Sequence, residues 1–196
     1  PKTTAAAGTE AHDAYLRGRY LLAQRNAIGA AREFEKAISL DPEYALAHAQ
    51  LAIAYWLGDD DRAPAHVEKA MALDPSIAEA HAAAGVLSWR EEDFQGAVRH
   101  LEKAIEINPS LVEAHYHLAW LYELVGRDEE AIRAGELTKE IDPLSPFYSG
   151  WLAEQYRDAG MYDTAIEEAE ATLQLRPDFP VAYYSLGQTY KDLGNC

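Results

Sequence analysis

Leu40-Asp41-Pro42 is followed down the chain by Leu73-Asp74-Pro75, Ile107-Asn108-Pro109, Ile141-Asp142-Pro143 and Leu175-Arg176-Pro177. The prolines of these triplets lie 33, 34, 34 and 34 residues apart. A period of this length marks an architecture made of stacked copies of one supersecondary unit. Each triplet reads as a helix stop, because proline has no N–H to donate and pushes the residue before it away from helical dihedrals.

Between successive stops the pattern predicts two helices joined by a turn. In the first unit Ala30, Phe34, Ala37 and Ile38 recur at the spacing of a buried helical stripe. The first helix of each unit carries a small residue at one register position: Gly18, Ala52, Gly85, Ala119, Ala153 and Gly187. The second helix answers with Ala30, Ala63, Ala97, Ala131 and Ala165. Two antiparallel helices approach closely only where both present small side chains. The units therefore run 11–44, 45–77, 78–111, 112–145 and 146–179, followed by an unpaired or capping helix at 180–194. Residues 1–10 read as a flexible leader. The second unit is one residue short, and the loss is expected between Tyr55 and Gly58. Ser88 stands where other first helices place Leu or Tyr. Gly135 takes the slot of Phe34, Val67 and Leu101, which implies a closer helix approach or a local bend.

The recurring small positions, Leu186-Gly187-x2-Tyr190, Ala97-x3-Leu101 and the closing prolines together resemble the tetratricopeptide repeat, over about residues 11–196. The resemblance implies an all-α fold, a right-handed superhelical α-solenoid of helix-turn-helix repeats with about eleven helices in a single domain. A second resemblance rests on Tyr15-Leu16-Arg17-Gly18-Arg19-Tyr20-Leu21-Leu22, Phe34-Glu35-Lys36-Ala37-Ile38 and Asp142-Pro143-Leu144-Ser145-Pro146. It is to repeat arrays found behind the signalling or DNA-binding head of bacterial adenylate cyclase-like proteins and winged-helix transcriptional activators. It implies a sensing or scaffolding role, with the chemistry elsewhere.

Seventeen basic residues face 33 acidic ones, for a formal net charge of −16. Nucleic acid and anionic membrane both reward clustered Lys and Arg, so neither is expected as a partner. Cys196 is the only cysteine, which excludes an internal disulfide and fits a reducing, cytoplasmic setting. No apolar run is long enough for a transmembrane helix. The start at Pro1, without Met, and the stop just after Gly194-Asn195 read as a piece cut from a longer protein.

In tetratricopeptide arrays the first helices line a concave face, and counting along them gives the candidate groove. One row holds Tyr15, Ala49, Ala82, Tyr116, Gly150 and Tyr184; the next holds Arg19, Ile53, Val86, Trp120, Glu154 and Gln188; a third holds Leu22, Trp56, Trp89, Glu123, Arg157 and Lys191. Trp151 and His117 sit beside the first row. The protein-binding residues expected are Tyr15, Arg19, Trp56, Trp89, Tyr116, Trp120, Trp151 and Tyr184, since rigid aromatic side chains are favoured anchors at interfaces. Family members that hold a terminal carboxylate use Lys and Asn in this groove. Only Arg19 approximates that here, so a mixed or apolar peptide, or a helix, is the expected ligand.

His48, His81 and His115 share one slot in three successive units and read as half-buried packing residues rather than a metal site. Asp59-Asp60-Asp61 lacks the spacing of a calcium loop and reads as a solvated helix start. No pairing of nucleophile with base appears, so no catalytic residue, metal or cofactor is expected. The function expected is a non-catalytic protein-protein interaction module, a scaffold within a larger bacterial regulatory or signalling protein. The alternative is an oligomerisation or assembly scaffold that uses the exposed last helix around Tyr183, Tyr184 and Tyr190.

Overall fold

The structure is a computed structural model that describes residues 4–194. Among the described residues there are eleven helices: α1 (Thr4–Ala23), α2 (Ala27–Leu40), α3 (Ala45–Leu57), α4 (Ala63–Leu73), α5 (Ala78–Arg90), α6 (Phe94–Ile107), α7 (Val112–Leu124), α8 (Asp128–Ile141), α9 (Pro146–Asp158), α10 (Tyr162–Leu175) and α11 (Pro180–Asp192). Odd-numbered helices are the first helices of the repeats and even-numbered ones the second. α1 starts inside the stretch expected as a leader, so residues 4–10 are helical; residues 1–3 lie outside the described residues. Contacts gather into two compact units, Pro1–Leu111 and Val112–Cys196.

The triplet works as anticipated, with an added device. Asp41, Asp74 and Asn108 are extended, and the backbone N–H of each closes the preceding helix on Ala37, Ala70 and Ala104. Their side-chain oxygens then accept the N–H two residues on: Glu43 at 3.1 Å, Ser76 at 2.9 Å and Ser110 at 3.1 Å. At these three junctions the Asp or Asn side chain thus provides the turn that carries the chain into the next repeat. Arg176 breaks it and pairs instead with Asp178 at 3.2 Å.

Within the first unit the helix pairs stack in the solenoid manner. α1 and α2, α3 and α4, and α5 and α6 pack as antiparallel pairs; α3 also lies against α2, α5 and α1, and α5 lies against α4. Phe34, Leu51, Val67 and Leu87 sit in one apolar core joined by Tyr15 and Tyr55. Gly18 lies against Phe34 so closely that a Cβ would stand 2.5 Å from its ring. Gly85 repeats the arrangement, with Leu101 Cγ 2.7 Å from where a Cβ would be. In the second unit α7 pairs with α8, α9 with α10, α9 contacts α8, and α11 rests on both α9 and α10. Gly135 makes room on α8 for the buried side chains of Leu152 and Gln155 of α9, the close approach anticipated for it.

The short repeat departs from expectation. Residues with positive φ occur at Arg25, Asp59, Glu92, Gly126, Gly160 and Gly194, one in the turn after each first helix. Each follows its small residue by seven positions, in the second repeat as elsewhere, so α3 and its turn are complete. The missing residue lies after Asp59: Ala63 follows it by four positions, whereas Ala30 follows Arg25 by five. Accordingly α4 has 11 residues where α2 and α6 have 14. Pro64 forbids the earlier start, because deeper in the helix it would remove an intrahelical bond and clash with the preceding turn. At the helix start it does neither.

Candidate protein-interaction face

In the first unit the inward row of first-helix residues is closed. Tyr15 is 4% exposed; its ring packs 5.9 Å from Phe34 and 5.1 Å from Tyr44. Ala49 and Ala82 of the same row are buried too, so this row is the seam between helices, and the expectation of Tyr15 as a groove residue gives way to a core role. Tyr44, in the turn between α2 and α3, supplies the covering ring. Arg19 is exposed, with its guanidinium 6.0 Å from the Tyr15 ring centre. The open row is the third. Trp56 of α3 and Trp89 of α5 are half-buried and meet edge to face, 6.2 Å apart with an interplanar angle of 78°. These rings therefore pack between neighbouring repeats and also keep part of their surface in solvent.

In the second unit Tyr116 of α7 is the hub of an aromatic cluster. Its ring lies 4.8 Å from Trp151, 5.3 Å from Phe147 and 5.5 Å from Tyr148, all on α9. Trp120, one turn beyond Tyr116, is half-buried, and Tyr184 on α11 is 57% exposed. Beyond the rings the seam turns acidic: Glu123 Oε2 lies 3.5 Å from Gln155 Nε2. Burial, aided by the charge of Asp158, raises the carboxyl of Glu123; burial also raises that of Glu154.

A family model described as Tetratricopeptide repeat matches residues 88–149, and one described as TPR repeat matches residues 153–194. This is a tetratricopeptide repeat protein. Among solved structures, a thermophilic TPR protein of Thermus thermophilus shares the fold with a TM-score of 0.75 at 20% identity, over 92% of this chain and 99% of that one. For pilF of Pseudomonas aeruginosa the TM-score is 0.67 at 20% identity, over 95% and 86% of the two chains. YrrB, described as a TPR protein with an unusual peptide-binding site, aligns with a TM-score of 0.58 at 20% identity, over 88% and 89%. No curated protein matches the chain.

Three features of this tetratricopeptide repeat protein escaped sequence reading. Phe147 and Tyr148 complete the ring cluster; the signal was an aromatic pair directly after Pro146 at the start of a first helix. The slot histidines also have partners. His48 Nε2 meets the carbonyl of Pro42 at 3.1 Å, and its Nδ1 lies 2.9 Å from Nδ1 of His66 on α4. His81 repeats this with Pro75 at 3.1 Å and His100 on α6 at 3.4 Å. With Nε2–H donated to the carbonyl, Nδ1 of neutral His48 accepts from His66, and the bond is lost once both rings are protonated. These histidines pin second helices to first helices, as packing residues do. Among the described residues no group of three or more His, Cys, Asp or Glu is disposed to hold a metal.

The third feature is the acidic turn, which is not the start of α4. Asp59 accepts from Arg90 of α5 at 2.7 Å. Asp60 is gripped by Arg62 at 2.8 Å, which holds its carboxyl at about 2. Arg62 also stacks 4.1 Å above the Tyr55 ring. Among the described residues no helix is long and apolar enough to cross a membrane.

Proposed function

We propose that this protein is a non-catalytic interaction module that receives a peptide or a helix of a partner protein on its first-helix face, with half-buried aromatic rings as anchors. The tetratricopeptide repeat fold supports an interaction module, and its members are typically scaffolds rather than catalysts. The observation that carries the finer reading is the pairing of rings across neighbouring first helices, Trp56 with Trp89 and Tyr116 with Trp151, each half-buried. Such rings are already ordered by their neighbours, so a ligand gains contact area at little further entropic cost. YrrB, which shares the fold, is described as having a peptide-binding site. A regulatory setting is part of this reading and rests on the sequence resemblance; a cytoplasmic one rests on the single cysteine.

The test is binding of a partner identified from the source cells. Trp89→Ala or Trp120→Ala is expected to weaken it by about 2 kcal/mol, the scale of an aromatic anchor. Ile28→Ser, an exposed site at the start of α2, is expected to leave it unchanged. Unchanged affinity in both Trp variants would remove the assignment.

A second reading, self-association through α11, is favoured by Tyr183 and Tyr184, each 57% exposed. Sedimentation at high concentration tests it: a strict monomer would exclude it for this chain.

A further inference from the structure

The α7–α9 seam of the second unit combines two things that a plain apolar groove lacks. At its start, Tyr116 and Trp151 stand 4.8 Å apart, with Trp120 one turn further along α7. At its end, Glu123 of α7 faces Gln155 of α9, and Glu154 stands beside Gln155 in the chain. Both glutamates are half-buried, and neither makes an ion pair among the described residues. Arg157, whose charge acts on Glu154, is hydrogen-bonded to Asp158 at 2.6 Å. Burial and the neighbouring Asp158 raise the carboxyl of Glu123, and burial raises that of Glu154 against the opposing charge of Arg157, so a cation brought by a partner would favour the ionised form of both. Gln155 offers Glu123 only one amide N–H at 3.5 Å, a weak compensation.

We propose that this seam takes a lysine or arginine side chain of the partner peptide. The stem lies along the rings of Tyr116, Trp120 and Trp151, and the cationic head is held between Glu123 and Glu154. The proposal rests on the interaction-module reading and names the ligand chemistry of that same face. Three physical terms favour it. Long basic side chains bury their methylenes against apolar surface while keeping the charge outside it. A cation beside aromatic faces gains from the ring quadrupole. A charge-assisted hydrogen bond to a half-buried carboxylate is stronger than one in open solvent. The chain's net charge of −16 steers the same kind of segment towards it.

The experiment uses a fluorescein-labelled, amidated hexapeptide of alternating Leu and Lys, with matched peptides carrying Gln or Glu in place of Lys, read by fluorescence anisotropy. The Lys peptide is expected to bind about tenfold or more tighter than the Gln peptide, and the Glu peptide more weakly still. The double variant E123Q/E154Q should bind the Lys peptide about tenfold more weakly and the Gln peptide as before. E167Q/E170Q, on exposed positions of α10, removes the same formal charge and should change Lys-peptide affinity by less than about twofold. Equal weakening in the two double variants, equal affinity for Lys and Gln peptides, or no binding of the Lys peptide would overturn the proposal. Trp120→Ala separates this from the broader reading. If it abolishes binding of Lys and Gln peptides that bind equally well, the face stands and the basic preference falls. If it changes no peptide's affinity, the face itself falls. Thermal melts control for folding: E123Q/E154Q should melt no lower than wild type, since it removes two desolvated charges.

Discussion

Six positions of one register slot show how a residue's meaning depends on what packs against it. Gly18 and Gly85 are small because Phe34 and Leu101 occupy the space a Cβ would need. Gly187 has nothing within 4 Å of that place. Gly18→Ala is therefore expected to destabilise by about 1–3 kcal/mol, as overpacking of a rigid, fully buried ring does. Gly187→Ala should stabilise by about 0.5–1 kcal/mol through helix propensity alone. Urea unfolding of the two variants checks both signs. The left-handed turn position offers a second test. It is Gly in three repeats but Arg25, Asp59 and Glu92 in the others. Glu92 has φ of 63° and an exposed side chain, so Glu92→Gly is expected to raise stability by up to about 1 kcal/mol. Asp59→Gly should gain less, because it also gives up the bond from Arg90. A fall in melting temperature for Glu92→Gly would contradict the turn assignment.

Helices in each unit are fastened by a small set of repeated polar links laid over the apolar seams. Tyr156 of α9 donates to Glu136 of α8 at 2.8 Å, and Tyr55 of α3 donates to Glu35 of α2 in the same way. Burial, followed by the bond to the carboxylate, raises both phenols. Tyr156→Phe should cost about 0.5–1.5 kcal/mol in chemical unfolding. The histidine pairs link α3 to α4 and α5 to α6. Burial lowers the basicity of His48, His66 and His100, and in the latter two the facing histidine adds to it. A histidine held below its unfolded value of about 6.5 binds fewer protons folded than unfolded. Its contribution is therefore intact above that pH and is lost as pH falls through it towards the lower folded value. Charges around the pairs act in both directions: Lys69 near His48; Arg62, Glu35 and Asp60 near His66; Arg99 and Asp93 near His100. The observable is the stability change between pH 7.5 and 5.5. It should be more unfavourable in wild type than in the variant His66→Gln/His100→Gln, and equal changes would refute a role for the pairs.

For the molecule as a whole, the repeat was legible because its period is written in covalent punctuation. Proline and the extended residue before it act locally, so Leu40-Asp41-Pro42 and its copies mark helix ends without knowledge of the packing. Which face of a first helix stays open was less legible, because it depends on neighbours far along the chain. Tyr15 is closed off by Tyr44, from the next turn, and Phe34, from the next helix; no spacing rule within α1 reveals that. The short repeat was misplaced for a related reason. Gly58 resembles the turn glycine of later repeats, yet its φ is −91° and Asp59 holds the left-handed position. The tryptophans were placed on the right helices, but their mutual contact depends on the spacing of α3 and α5. The proposed function rests on a set of ordered, half-buried rings on first helices, and binding is the property to measure. Isothermal titration of an identified partner into wild type, Trp89→Ala, Trp120→Ala and Ile28→Ser tests this most directly. The account requires at least one Trp variant to lose about tenfold or more in affinity while Ile28→Ser binds as wild type does. Full affinity in both Trp variants, or an equal loss in Ile28→Ser, would contradict it.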